Sequence, residues 1–131
     1  MKIAATISRY LLGLTFTVFG LNGFFHFIPQ KPVPEPLAVQ YFTVMVMSHY
    51  MVLVFLLQLI AGVLLLTNRF VPLALAVLAP IIVNILLFHS LMNPEGLPLA
   101  LFVTVLWIVV FARVRRTFAP IFHVKPTPDT I

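Results

Sequence analysis

Apolar residues form long runs in this chain, and most polar residues lie between the runs. Four of the runs approach the length needed to cross a bilayer, whose hydrocarbon core of ~30 Å takes about 20 helical residues. The pattern predicts transmembrane spans over residues 8–28, 49–66, 70–92 and 97–112. Alternating prolines after the first run prevent a helix there. The apolar segment 37–47 is too short to span and predicts a helix at the outer interface.

Short connections force neighbouring spans to run antiparallel. The predicted fold class is therefore an all-α membrane protein, an up-down-up-down four-helix transmembrane bundle with a short interfacial helix between helices 1 and 2. We expect residues 1–122 to form the membrane domain and residues 123–131 to form a loose cytoplasmic tail. Composition agrees with this class, because 62% of the 131 residues are hydrophobic and only 8% are charged. A soluble domain of this size needs a more highly charged surface.

Positive charge is distributed unequally between the two ends of the predicted bundle. Only Lys31 lies on the outer side, and Lys and Arg accumulate in cytoplasmic loops of membrane proteins. The other seven cationic residues lie on the inner side: Lys2, Arg9, Arg69, Arg113, Arg115, Arg116 and Lys125. We expect a multi-pass protein of the bacterial cytoplasmic (inner) membrane with both termini in the cytoplasm. The cations flank apolar runs, so we expect lipid contacts and no nucleic-acid binding.

Several uncharged polar residues fall inside the predicted spans, in their middle or outer parts. Polar atoms in hydrocarbon lose hydrogen bonds to water, so they should face protein or a wet cavity. We predict an outward-facing polar pocket among the first three spans, with these ligand-binding candidates: Asn22, His26, His49, Gln58, Asn84 and His89. Asn22 and His26 are four residues apart, which places them on one face of a helix. They are the most credible pair for holding a ligand.

Each of these residues also has a structural interpretation. The asparagines could join helices by hydrogen bonds, and the histidines could touch water or lipid headgroups at the interface. A metal ion or haem is disfavoured, because Asn84 and His89 lie about 140° apart around an ideal helix and the chain has no cysteine. No span contains a paired carboxylate or a Ser-His-acid set. The sequence therefore identifies neither a cofactor nor catalytic residues. It disfavours a stand-alone enzyme.

Two segments carry a resemblance to a known family. They are Phe-Gly-Leu-Asn-Gly-Phe-Phe-His-Phe-Ile-Pro over residues 19–29 and the stretch 67–89, with Asn84 and His89 in an Asn-x4-His pattern. In these segments the chain resembles the DoxX family of small four-helix membrane proteins from bacteria and archaea. Two positions depart from the family pattern. Many relatives carry Lys at the position of Gly23 and an acid at that of Gln58, so a buried ion pair is replaced here by neutral residues.

The resemblance implies a redox-linked role at the membrane. The family is associated with a quinol oxidase subunit and with membrane complexes of oxidative stress and thiol redox chemistry. The first hypothesis is accordingly an accessory or binding subunit that holds a quinone-like lipophile, with apolar walls from Phe16, Phe24 and Phe88. The alternatives are a membrane oxidoreductase with a His-ligated cofactor and a structural or assembly protein without a ligand. Candidate partners are the lipid bilayer, a redox protein and further copies of the chain.

Overall fold

The computed structural model describes residues 1–126, and the last five residues of the predicted tail, 127–131, lie outside this part. The described chain is helical and contains no strand. Five α-helices follow one another: α1 (Lys2–Phe25), α2 (Pro36–Met47), α3 (Tyr50–Leu66), α4 (Val71–Leu91) and α5 (Leu97–Val114). A short 3₁₀ turn at Pro94–Gly96 leads into α5, and a 3₁₀ segment at Arg115–Phe122 follows it.

Three helical segments are long and apolar enough to cross a membrane: α1, α4 and the combined segment Pro94–Phe122. A fourth span arises if α2 and α3 are counted together, although their axes differ by 85°. Large apolar side chains are also exposed along every one of the α-helices, as lipid-facing helices require. These features are those of a helical membrane protein that crosses the bilayer several times.

α1 and α3 pack closely because glycines let the two backbones approach each other. A Cβ atom built on Gly20 would lie 2.8 Å from the amide nitrogen of Leu59, and one built on Gly13 would lie 3.0 Å from the carbonyl oxygen of Gly62. Gly13 contacts Gly62, and the later Gly20 contacts the earlier Leu59, so α1 and α3 run antiparallel. Small residues at such contacts allow close van der Waals packing, which stabilises helix pairs in lipid where the hydrophobic effect between helices is absent.

α1, α3, α4 and α5 contact one another in a ring: α1 touches α3 and α5, and α4 touches the same two helices. The core between them is apolar, with Leu12, Leu65, Leu75 and Leu78 fully buried. Trp107 of α5 donates a hydrogen bond from Nε1 to the backbone carbonyl of Leu75 in α4, at 3.0 Å. The α4–α5 contact is therefore polar as well as apolar.

The helices differ from the predicted segments mainly at the two ends of the chain. α1 begins at Lys2, before the predicted start at Ser8, and ends at Phe25 because His26 adopts a left-handed conformation with φ of 50°. After α5, the 3₁₀ segment Arg115–Phe122 was not expected from the sequence. Its Phe118 ring lies 5.2 Å from that of Phe111, which holds the segment against the bundle.

Candidate functional site

The six polar residues predicted to bind a ligand occupy different environments. Asn22 and Gln58 are buried, and His89 is half-buried. His26, His49 and Asn84 are exposed. No hydrogen bond within residues 1–126 joins two of the six side chains. A pocket that all six side chains share therefore stays a prediction. The contacts of each residue determine which hydrogen bonds it can offer a ligand.

Asn22 closes the end of α1. Its side-chain Oδ1 accepts a hydrogen bond from the backbone N–H of Ile28 at 2.7 Å, and its backbone carbonyl accepts one from His26 at 2.8 Å. The bond from His26 is the last of the helical i→i−4 pattern, whereas the Ile28 amide lies beyond the helix end and is bonded by the Asn22 side chain. His26 lies just beyond the last residue of α1, and the pairing of Asn22 with His26 at a ligand stays a prediction. The amide oxygen of Asn22 serves the backbone, and the imidazole of His26 faces outward.

His49 lies just before α3, and Gln58 lies within it. His49 lies between α2 and α3 with φ of 61°, a left-handed conformation that helps to produce the sharp bend between these helices. Gln58 lies midway along α3 with 7% of its surface exposed. It precedes Leu59, whose backbone Gly20 approaches, so the amide of Gln58 lies at the level of the close α1–α3 contact.

Asn84 belongs to a polar and aromatic group that joins α2 to α4. Its Nδ2 donates a hydrogen bond to the hydroxyl of Tyr41 at 3.0 Å. Four residues further along the same face of α4, the Phe88 ring lies 5.2 Å from the Tyr41 ring and 4.9 Å from the Phe42 ring. His89 adjoins Phe88 edge-on at 5.0 Å. We call Tyr41, Phe42, Asn84, Phe88 and His89 the α2–α4 cluster.

The His89 ring is fixed by the turn that follows α4. Its Nδ1 lies 2.9 Å from the backbone carbonyl of Asn93, which can only accept a hydrogen bond, so Nδ1 carries a proton. In the neutral imidazole this leaves Nε2 as an acceptor. Gly96 makes room for the ring, because a Cβ atom there would lie 2.0 Å from Cε1 of His89. The side-chain Oδ1 of Asn93 is buried, and no hydrogen-bond donor within residues 1–126 reaches it.

Sequence reasoning missed three residues of this region: Tyr41, Phe42 and Asn93. The adjacent aromatic residues Tyr41 and Phe42 could have indicated a contact surface on α2. Their contact with α4 depends on the bend between α2 and α3, which the sequence does not show. Two of the three predicted aromatic walls lie elsewhere. Phe16 is buried in the core with 3% exposure, and Phe24 packs edge-on against Phe55 at 6.5 Å.

An apolar recess of about 330 Å³ adjoins the α2–α4 cluster at Phe42, and its lining also includes Val46 and Met47. It shares no residue with the six predicted positions. Within residues 1–126, no three His, Cys, Asp or Glu side chains are grouped so that they could hold a metal ion. The chemistry that the α2–α4 cluster can perform is hydrogen bonding and aromatic packing by uncharged groups.

In comparisons with known proteins, no protein-family model, no curated protein and no solved structure matches this chain. The resemblance to the DoxX family therefore stays a hypothesis based on the residues of the two segments quoted above.

Proposed function

We propose that this chain is an integral-membrane binding protein that holds a quinone-like lipophile at the α2–α4 cluster. In this proposal it serves as an accessory subunit of a redox system in the bacterial inner membrane, as its resemblance to the DoxX family implies. The hydrogen bond between Asn84 and Tyr41, set among aromatic rings, is the observation that carries the proposal.

The proposed membrane arrangement has four antiparallel spans, formed by α1, α3, α4 and α5, with α2 lying along the outer interface. α3 has 17 residues, so it measures about 25 Å and needs only slight thinning of the bilayer. The 85° bend between α2 and α3 agrees with one helix in the membrane plane and one across it. The distribution of Lys and Arg favours cytoplasmic termini.

The donors and acceptors of the α2–α4 cluster suit a quinone. Tyr41 accepts a hydrogen bond from Asn84, so its own O–H remains free to donate to a quinone carbonyl. The exposed amide of Asn84 retains a second N–H. In the neutral form of His89, Nε2 can accept a hydrogen bond from the hydroxyl of a quinol. Phe42 is half-buried and offers a ring face for stacking, and the buried Phe88 ring packs edge-on against it. The apolar recess beside Phe42 offers room for an isoprenoid tail.

Equilibrium binding of a short-chain ubiquinone to the full-length chain in detergent tests the proposal. Tyr41→Phe removes one hydroxyl and keeps the ring, and we expect it to weaken binding about five- to tenfold, the value of one hydrogen bond. Tyr50→Phe is the matched control, because Tyr50 is exposed at the start of α3 and belongs to no part of the cluster. We expect that control to change the affinity by less than about twofold.

A photoreactive azido-quinone adds a positional test. Labelling should occur on peptides that contain Tyr41, Phe42 or Phe88. Absence of saturable quinone binding, or equal losses in Tyr41→Phe and Tyr50→Phe, would overturn the proposal. A stoichiometric protein that copurifies in place of a lipophile would favour the assembly-protein alternative.

A further inference from the structure

A cavity of about 290 Å³ lies at the end of the bundle where α1 begins and α5 ends. Three cationic side chains line it: Lys2, Arg9 and Arg113. Asn68 and Thr6 contribute the uncharged polar part of the lining. One water molecule takes ~30 Å³ in the liquid, so the cavity has room for a tetrahedral oxyanion and some of its hydration.

Within residues 1–126, no carboxylate lines the cavity beside these three cations. The two acidic residues in that part of the chain are Glu35, just before α2, and Glu95, just before α5. They follow the C-terminal ends of α1 and α4, whereas the cavity lies at the N-terminal ends of these two helices. Three positive charges around one cavity repel one another, and an anion in the cavity would relieve that repulsion.

Arg9 is held in place from two sides. It is half-buried, and its guanidinium donates a hydrogen bond to the backbone carbonyl of Leu65 at the end of α3. The same guanidinium lies over the ring of Tyr10, 4.3 Å from the centroid. A guanidinium has five N–H donors, so donors remain for a ligand after the Leu65 contact. A fixed arginine loses little side-chain entropy when it binds an anion.

Two helices also begin at the cavity. α1 starts at Lys2 and α4 starts at Val71, both lining residues, and neither helix has a side-chain cap at its N-terminus. The free N–H groups of a first helical turn and the helix dipole both favour a negative charge. Cationic side chains and helix N-termini therefore point to the same class of ligand.

We propose that this cavity binds a phosphate group, and that Lys2, Arg9 and Arg113 are its ligands. A phosphate offers oxygen acceptors to all three side chains, and Arg pairs with it through two parallel hydrogen bonds. The phosphodiester of an anionic phospholipid and free inorganic phosphate share this chemistry. The site is separate from the α2–α4 cluster, so the two proposals can fail independently.

Native mass spectrometry of the full-length chain in a phosphate-free detergent distinguishes the two sources. Phosphatidylglycerol and inorganic phosphate are the probes, and diacylglycerol is the lipid control without phosphate. Retention of phosphatidylglycerol that inorganic phosphate does not displace assigns the site to a lipid headgroup. Binding of inorganic phosphate that displaces the lipid assigns it to the free anion. Either result supports the proposal.

Substitutions at the exposed cations test the position of the site. We expect the double variant Lys2→Gln/Arg113→Gln to weaken binding of the retained probe at least about tenfold, because it removes two charge-assisted contacts. Arg115→Gln is the control, which removes one positive charge at an exposed residue outside the cavity. We expect that control to weaken binding less than about twofold. The proposal is overturned if neither probe binds, if diacylglycerol binds as well as phosphatidylglycerol, or if Arg115→Gln and the double variant lose equally.

Discussion

Gly20 of α1 lies directly against the backbone of Leu59 in α3. A Cβ atom at Gly20 would lie 2.8 Å from the amide nitrogen of Leu59 and 3.0 Å from its Cα atom. The atoms in the way are main-chain atoms, which cannot rotate aside as a side chain does. The absence of a Cβ atom at this position therefore sets the distance between the two helices.

Replacing Gly20 with Ala should force α1 and α3 apart. We expect Gly20→Ala to lower the free energy of unfolding by about 1–3 kcal/mol, the usual cost of overpacking, despite the better helix propensity of Ala. Unfolding by SDS in mixed micelles, followed by circular dichroism, measures the change. Ala4→Val adds volume at an exposed position of the same helix and should change stability by less than about 0.5 kcal/mol. Equal stability of Gly20→Ala and the parent protein would show that the helices separate without cost.

The Trp107 side chain links α5 to α4 through one hydrogen bond and stacks on Phe111 at 5.0 Å. Trp107→Phe keeps an aromatic ring and removes the N–H donor. We expect a loss of about 1 kcal/mol in the free energy of unfolding, as measured for hydrogen bonds between membrane helices. Thr104→Val is the control, since the Thr104 hydroxyl bonds to Ala100 within α5. A larger loss in the control would contradict this assignment.

Asn22 should protect the backbone amide of Ile28 from exchange with solvent. The side-chain oxygen accepts the Ile28 N–H at 2.7 Å, so Asn22→Ala leaves that donor without its partner. We expect faster hydrogen exchange at Ile28 and a loss of about 1–3 kcal/mol in stability. Gln30→Ala removes an exposed amide from the same connection and should affect neither quantity. Unchanged exchange at Ile28 in Asn22→Ala would exclude this role.

His49 adopts a left-handed conformation that costs a non-glycine residue energy. Its φ is 61°, whereas that of the preceding Ser48 is −78°. We expect His49→Gly to raise the free energy of unfolding by up to about 1 kcal/mol, and Ser48→Gly to lower it. Thermal unfolding in detergent compares the two variants. Destabilisation by His49→Gly as large as that by Ser48→Gly would mean that the His49 side chain contributes contacts that outweigh the backbone strain.

The positions of the helices could be predicted closely from the sequence. The runs 37–47, 49–66 and 70–92 correspond to α2, α3 and α4, with no end differing by more than one residue. Long apolar runs and prolines near helix starts are local features, so they can be read without knowing the fold. The end of α1 was less predictable, because Phe27 and Ile28 continue the apolar run after the chain has left the helix.

Apolar length, proline placement and the position of charges determined that this chain is helical, suited to several membrane crossings and basic at one end. Only the tertiary structure decided which polar side chains meet. Tyr41 and Asn84 are 43 residues apart and meet because the chain bends by 85° between α2 and α3. Lys2 and Arg113 line one cavity because α1 packs against α5. The hydrophobic effect is non-directional and depends on apolar area, so apolar runs can be recognised in the sequence. A hydrogen bond or an anion site requires particular atoms to meet at a set distance and angle, which only the folded chain provides.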